Sequence, residues 1–170
     1  MQTRRRRGLW LVGLLLMAGA LSFWAFKASA ISVRVYTVPS GSMGPAIKAG
    51  DKVCVESYST SKPKRGEIWA LQMPNPKGVA IKRVIGLPGE TIDIRSGQVY
   101  IDGRALAEPY LTAPFTYSLA PVKLGPSEYF TLGDCRDASN DSHIWGPLRD
   151  DSLVGRVKYR YWPPARVSGF

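Results

Sequence analysis

Val79-Ala80-Ile81-Lys82-Arg83-Val84-Ile85-Gly86-Leu87-Pro88-Gly89-Glu90 is an apolar, β-branched run with two cations at its middle and a Gly/Pro turn at its end. Val and Ile favour the extended backbone, and Pro88-Gly89 stops it, so residues 79–87 read as a strand. Side chains alternate along a strand. Lys82 therefore shares a face with Ala80 and Val84, while Arg83 points the other way with Ile81 and Ile85. A lysine set between small apolar neighbours is desolvated, which favours the neutral amine, lowers the pKa and converts the side chain into a general base. The ordinary alternative is a surface lysine whose stem packs along the sheet.

The same alternation recurs on both sides of this run. Short β-type segments bounded by Gly, Pro, Asn and Asp predict strands over 32–37, 52–57, 68–73, 91–95, 98–101, 128–132 and about 153–161. Asp102-Gly103, directly after Val99-Tyr100-Ile101, is a two-residue hairpin signal, since both turn positions favour φ > 0. Thirteen Pro and 17 Gly spread along the chain fit a loop-rich β domain and argue against a helical bundle. Residues 63–66 and 109–126 read as surface loops. The second is long for a compact domain, hence a small excursion or a lid. A chain of 170 residues that is 45% hydrophobic has enough apolar surface for one core and is not a disordered polymer.

Thirteen acids against 23 bases give a net charge of +10, which by itself points to nucleic acid or a membrane surface. The location of the charge decides between them. Arg4, Arg5, Arg6 and Arg7 stand directly before an apolar run over residues 9–26. Without them 19 bases face 13 acids, an excess of six. At about 1.5 Å per residue the run spans about 27 Å as a helix, close to the hydrocarbon thickness of a bilayer. Only Lys27 and Arg34 follow in the next 20 residues. The positive-inside rule then gives a cytoplasmic tail at 1–7, a transmembrane anchor at 8–27 and an extracytoplasmic domain at 28–170, with the lipid bilayer as a partner and no nucleic acid. Ala28-Ser29-Ala30 is an A-x-A cleavage pattern, so a removable leader is the competing reading. Met43, Trp69 and the aromatics near Trp162 are candidates for an apolar rim at the membrane interface.

Two other segments carry chemistry. Val38-Pro39-Ser40-Gly41-Ser42-Met43-Gly44-Pro45 places two serines two apart in a kinked stretch. Such a loop presents one hydroxyl outward while its neighbour and a backbone N–H converge on the same point, as a nucleophile with an oxyanion hole requires. Gly133-Asp134-Cys135-Arg136-Asp137-Ala138-Ser139-Asn140-Asp141-Ser142-His143 is a dense polar loop after a strand. Alone, each segment is matched by a bland alternative: a Ser/Gly/Pro turn, and a solvated cluster of Asx and Ser turns.

Together and in this order, the three segments resemble the type I signal peptidases, membrane-anchored serine proteases that remove signal peptides. The Ser-Met-x-Pro box matches at Ser42-Met43-Gly44-Pro45, the Lys box at Lys82 through Glu90, and the Gly-Asp-x-Arg-x-x-Ser-x-Asp-Ser box at 133–142. The resemblance covers residues 8–162 and implies a partly open, antiparallel β-barrel domain behind the anchor, in the plasma membrane. It implies Ser42 as nucleophile, Lys82 as general base, and Ser40 with the Ser42 N–H as oxyanion hole. Ser139 then orients the lysine amine, Asp141 braces the site and Arg136 supports the loop. Preprotein signal peptides with Ala-x-Ala sites are the implied substrates, without cofactor or metal.

Cys135 stands where the family commonly has Asn, and His143 where it often has Arg. A histidine changes charge between about pH 5 and 8, so a bridge from Asp141 to His143 would depend on pH. Cys54 and Cys135 are candidates to pair across the fold in an oxidising compartment. A dedicated peptidase for pilin precursors and an inactive membrane-anchored assembly protein remain alternatives. Ser59-Thr60-Ser61-Lys62 matches an S-x-x-K pattern without its K-T-G partner, and Asn140-Asp141-Ser142 matches a glycosylation sequon inside a segment better explained otherwise.

Overall fold

A computed structural model describes residues 32–58, 62–74 and 78–170, and Met17 before them. The anchor expected at 8–27, the Ala28-Ser29-Ala30 pattern and Ser59-Thr60-Ser61 lie outside the described residues. Among the described residues no helix is long and apolar enough to cross a membrane. The unit spanning Val33–Phe170 is mainly β.

Its strands are β1 (Val33–Thr37), β2 (Lys52–Ser57), β3 (Ile68–Met73), β4 (Gly78–Gly86), β5 (Thr91–Arg95), β6 (Gln98–Ile101), β7 (Arg104–Ala105), β8 (Leu119–Lys123), β9 (Glu128–Leu132), β10 (Leu148–Arg149), β11 (Leu153–Trp162) and β12 (Ser168–Gly169). A single helical turn, α1 (Ser142–Trp145), precedes β10. Every pairing is antiparallel. One sheet runs β1-β2-β11-β3-β4-β9-β10 with β12 on β11; the other runs β7-β6-β5-β8.

β3 and β4 sit mid-sheet, and both of their faces are covered, which is why they read as continuous apolar runs rather than alternating ones. Ile68 and Ala70 of β3 join a core with Val53, Val55 and Ile81, while Trp69 and Leu71 join another with Ala80 and Val84. A third core, Ile85, Ile92, Ile94, Val99 and Phe130 among others, ties the small sheet to β4 and β9. Asp102 and Gly103 have φ of 48° and 77°, as the hairpin signal requires, and Ser96 and Gly97 repeat the device between β5 and β6 at 45° and 81°.

At its β1 end the large sheet has a core face and an outer face, and β11 changes phase at irregularities between Val157 and Tyr159 and between Arg160 and Trp162. Val53, Val55 and Val157 point into the core, while Val35, Cys54 and Tyr159 stand opposite one another on the outer face, followed by Thr37, Lys52 and Trp162. Val33, Val35, Tyr159 and Trp162 are exposed there.

The expected apolar rim changes accordingly. Met43 is 1% and Trp69 0% exposed, both in the core, and Trp162 remains outside. Residues 109–126 are not structureless, since β8 lies among them and pairs with β5. Cys54 and Cys135 are free thiols.

Candidate active site

The Ser40–Ser42 loop is held at both ends by the backbone. Val38 N–H donates to the Asp51 carbonyl at 2.8 Å, and Gly50 N–H donates to Val38 at 2.9 Å. Val38, Met43 and Ile47 plug this loop into the core beneath it. Asp51 is buried and takes Lys48 N–H at 2.8 Å and Arg166 Nη1 at 2.9 Å, which fixes the loop's far end. The kinked segment is therefore rigid, as a surface turn need not be.

On this frame Ser42 is 8% and Lys82 3% exposed. Lys82 Nζ lies 2.8 Å from Ser42 Oγ and 2.9 Å from Ser139 Oγ. Two hydroxyls and no carboxylate thus hydrogen-bond the amine. Burial pushes the Lys82 pKa below the ordinary lysine range, against the upward pull of the Asp141 and Asp134 carboxylates. Ser40 Oγ donates to Ser42 Oγ at 3.3 Å, so the four hydroxyl and amine groups singled out from the three motifs are brought together.

The third segment reaches the same point because Gly133 has no side chain. A Cβ there would come within 2.2 Å of Ser139 Oγ and 2.6 Å of the Ser42 carbonyl. Cys135 N–H donates to that same Ser42 carbonyl at 3.0 Å, stitching loop to loop. Asp141, fully buried, accepts Gly133 N–H at 2.8 Å and His143 N–H at 3.1 Å, and its Oδ1 lies 2.7 Å from His143 Nδ1. Tyr117 stacks on the His143 ring with centroids 4.5 Å apart. Arg136 donates from Nε to the Gly133 carbonyl at 3.1 Å.

Arg83, the strand neighbour of Lys82, points the opposite way as the alternation requires. It forks onto Asp134 at 2.8 and 2.5 Å, joining β4 to the loop after β9. Glu108 and Tyr117 carry no motif and are missed by sequence reasoning. One signal exists for the first: Glu108 is the only acid between Asp102 and Glu128.

In front of Ser42 and Lys82 opens a cleft of about 340 Å³, walled by Val38, Met43, Met73, Ala80, Ile81, Ala138 and Asn140. It is apolar except around the serines, Lys82 and Asn140. Among the described residues no cluster of three His, Cys, Asp or Glu is arranged to hold a metal ion. A buried amine whose pKa is lowered by burial, hydrogen-bonded to a buried hydroxyl beside an apolar cleft, is equipped for acyl transfer to that hydroxyl.

Comparison with known proteins agrees with the chain-wide reach of these features. The chain is 40% identical over 151 residues to a probable signal peptidase I-2 of Synechocystis, covering 81% of this chain and 69% of that one. It is 36% identical over 167 residues to signal peptidase I of Leptolyngbya laminosa, covering 89% and 82%. A crystal structure of a signal peptidase I from Enterococcus faecalis superposes with a TM-score of 0.52 at 32% identity, over 56% of this chain and 97% of the other. The family model described as signal peptidase, peptidase S26, matches residues 8–162. The chain belongs to the signal peptidase family, peptidase S26.

Proposed function

We propose that this chain is a serine endopeptidase that removes N-terminal signal peptides from exported preproteins, cutting after small residues in Ala-x-Ala sites. Ser42 is the nucleophile and Lys82 the general base. The observation that carries this reading is the buried Lys82 amine, 2.8 Å from Ser42 Oγ and 2.9 Å from Ser139 Oγ. Names among the relatives, signal peptidase I in two of those compared, support the substrate class.

Lys82 Nζ accepts the Ser42 proton as Oγ bonds to the scissile carbonyl carbon. The resulting oxyanion is met by the Ser42 N–H and by the Ser40 hydroxyl, which a rotation about its Cα–Cβ bond turns away from Ser42 Oγ. Collapse breaks the C–N bond, and Lys82 returns the proton to the leaving amine. Water deprotonated by Lys82 then hydrolyses the ester and frees Ser42. Asp141 braces Gly133 and His143, and Arg136 holds the loop through the Gly133 carbonyl. A cleft walled by Ala80 and Ile81 favours small apolar side chains next to the cut.

In this reading residues 1–7 lie in the cytoplasm, 8–27 anchor the chain in the plasma membrane, and 28–170 work on the far side, in a partly open barrel. The exposed Val33, Val35, Tyr159 and Trp162 are the side chains suited to lipid. The test incubates detergent-solubilised wild type and Ser42→Ala with a preprotein and with a pilin precursor, then sequences the new N-termini. Cutting of the preprotein after Ala-x-Ala by wild type alone is expected. Activity retained in Ser42→Ala sinks the assignment. Cutting of the pilin precursor alone favours a dedicated processing peptidase instead.

A further inference from the structure

We infer that Glu108, on the excursion between β7 and β8, is a positioning residue that clamps the strand bearing Lys82 to the loop bearing Ser139. The inference rests on the Ser42/Lys82 reading above. The Glu108 carboxylate is 5% exposed and faces an Arg136 side chain that is 2% exposed. Arg136 donates to it in a fork, Nη1 to Oε2 at 3.0 Å and Nη2 to Oε1. The Tyr110 hydroxyl donates to the same carboxylate at 2.6 Å. From there two short paths reach the site. Arg136 continues to the Gly133 carbonyl, at the root of the loop that carries Ser139. Tyr110 lies with its ring 3.9 Å from the Arg83 guanidinium carbon, and Arg83 neighbours Lys82 on β4.

The β4–β9 pairing and the Arg83–Asp134 pair hold the near end of this loop to β4, and Glu108 adds a tie from outside through Arg136 and Tyr110. The added tie narrows the positions open to Ser139 opposite Lys82. The quantity at stake is the 2.9 Å between Lys82 Nζ and Ser139 Oγ, since displacement of about 1 Å at a reacting centre costs on the order of 10²-fold in rate. Glu108 does not line the cleft, so its loss acts on the chemical step rather than on substrate binding.

The charged groups facing Lys82 are Asp141 and Asp134, partnered by His143 and Arg83. β3 brings only Trp69 opposite it and β9 brings Leu132 beside Arg83, neither of them titratable. A loosened loop lets water reach the amine and raises its pKa. Because the base works neutral, the acidic limb of kcat/KM then moves to higher pH.

The experiment uses the full chain in detergent, with cleavage of a fluorogenic Ala-x-Ala peptide followed across pH and melting temperature measured alongside. Glu108→Gln is expected to lower kcat roughly 10- to 100-fold with KM almost unchanged, and to shift the acidic limb upward. The double variant Glu108→Leu/Arg136→Met removes both buried charges, so it is expected to regain the melting temperature but not kcat. Wild-type kcat and pH profile in Glu108→Gln, or recovery of kcat together with melting temperature in the double variant, overturns the clamp. Ser42→Ala in the same assay separates the two ideas. An active Ser42→Ala defeats the dyad reading, whereas an inactive one beside fully active Glu108 variants defeats this inference alone.

Discussion

An amine enclosed by two serine hydroxyls links the proposed activity of the protein to its stability. Burial lowers the Lys82 pKa in the folded chain, so between that lowered value and the ordinary lysine value of 10.5 the unfolded state binds more protons. Stability therefore rises with pH across that window and is diminished below it. Lys82→Met should abolish peptide cleavage yet melt higher than wild type at neutral pH. The difference should narrow as pH rises toward 10.5, as thermal melts at several pH values will record. Ser40 makes a gentler prediction. Removing one oxyanion donor typically costs about 10²–10³ in kcat, so Ser40→Ala should retain a measurable fraction of the activity that Ser42→Ala lacks. If the two serine variants are equally inactive in a single-turnover assay, Ser40 has a larger part than an oxyanion donor.

Among the elements, the loop over residues 133–142 is braced where the family often places arginine. Asp141 caps α1 by accepting His143 N–H, and its Oδ1 lies 2.7 Å from His143 Nδ1. His143→Arg puts a permanent cation beside Asp141 and offsets its pull on Lys82. The acidic limb of kcat/KM should consequently move to lower pH; an unchanged profile would remove any role for the bridge in tuning the base. The strands themselves divide by how local their causes are. β2, β3, β5, β6 and β9 are legible in the sequence to the residue, because β-branched and aromatic runs between turn residues decide them. β8 is not, because Pro121 breaks its pattern. The strand pairs only with β5 at the edge of the small sheet, where a missing N–H removes no ladder bond. Ser42, Lys82 and Ser139 are legible through motif order, whereas Glu108 acquires its partner Arg136 only when the chain returns 28 residues later. No period or spacing encodes that meeting.

Across the molecule as a whole, apolar surface is distributed unequally. The outer face of β1, β2 and β11 exposes Val33, Val35, Tyr159 and Trp162, with Lys52 lying 5.8 Å from the Trp162 ring. Aromatic side chains beside lysine suit a lipid interface, with the apolar body inside and the charge in the headgroups. Tyr159→Ser with Trp162→Ser should slow cleavage of a preprotein embedded in vesicles several-fold while leaving the soluble peptide unaffected. Equal loss on both substrates would place these residues in folding rather than in membrane approach.

One loop also predicts how the whole chain tolerates change. Along 133–142, Gly133, Asp134, Arg136, Ser139, Asp141 and Ser142 are buried, while Cys135, Asp137, Ala138 and Asn140 are exposed. In a library covering every position and selected for preprotein processing, the first group should return almost no survivors, with position 133 emptiest of all. Position 137 should drift freely. Substitutions at 138 and 140, on the lip of the cleft, should survive with altered taste in substrate. New specificities are then reachable in single steps that leave the chemistry intact.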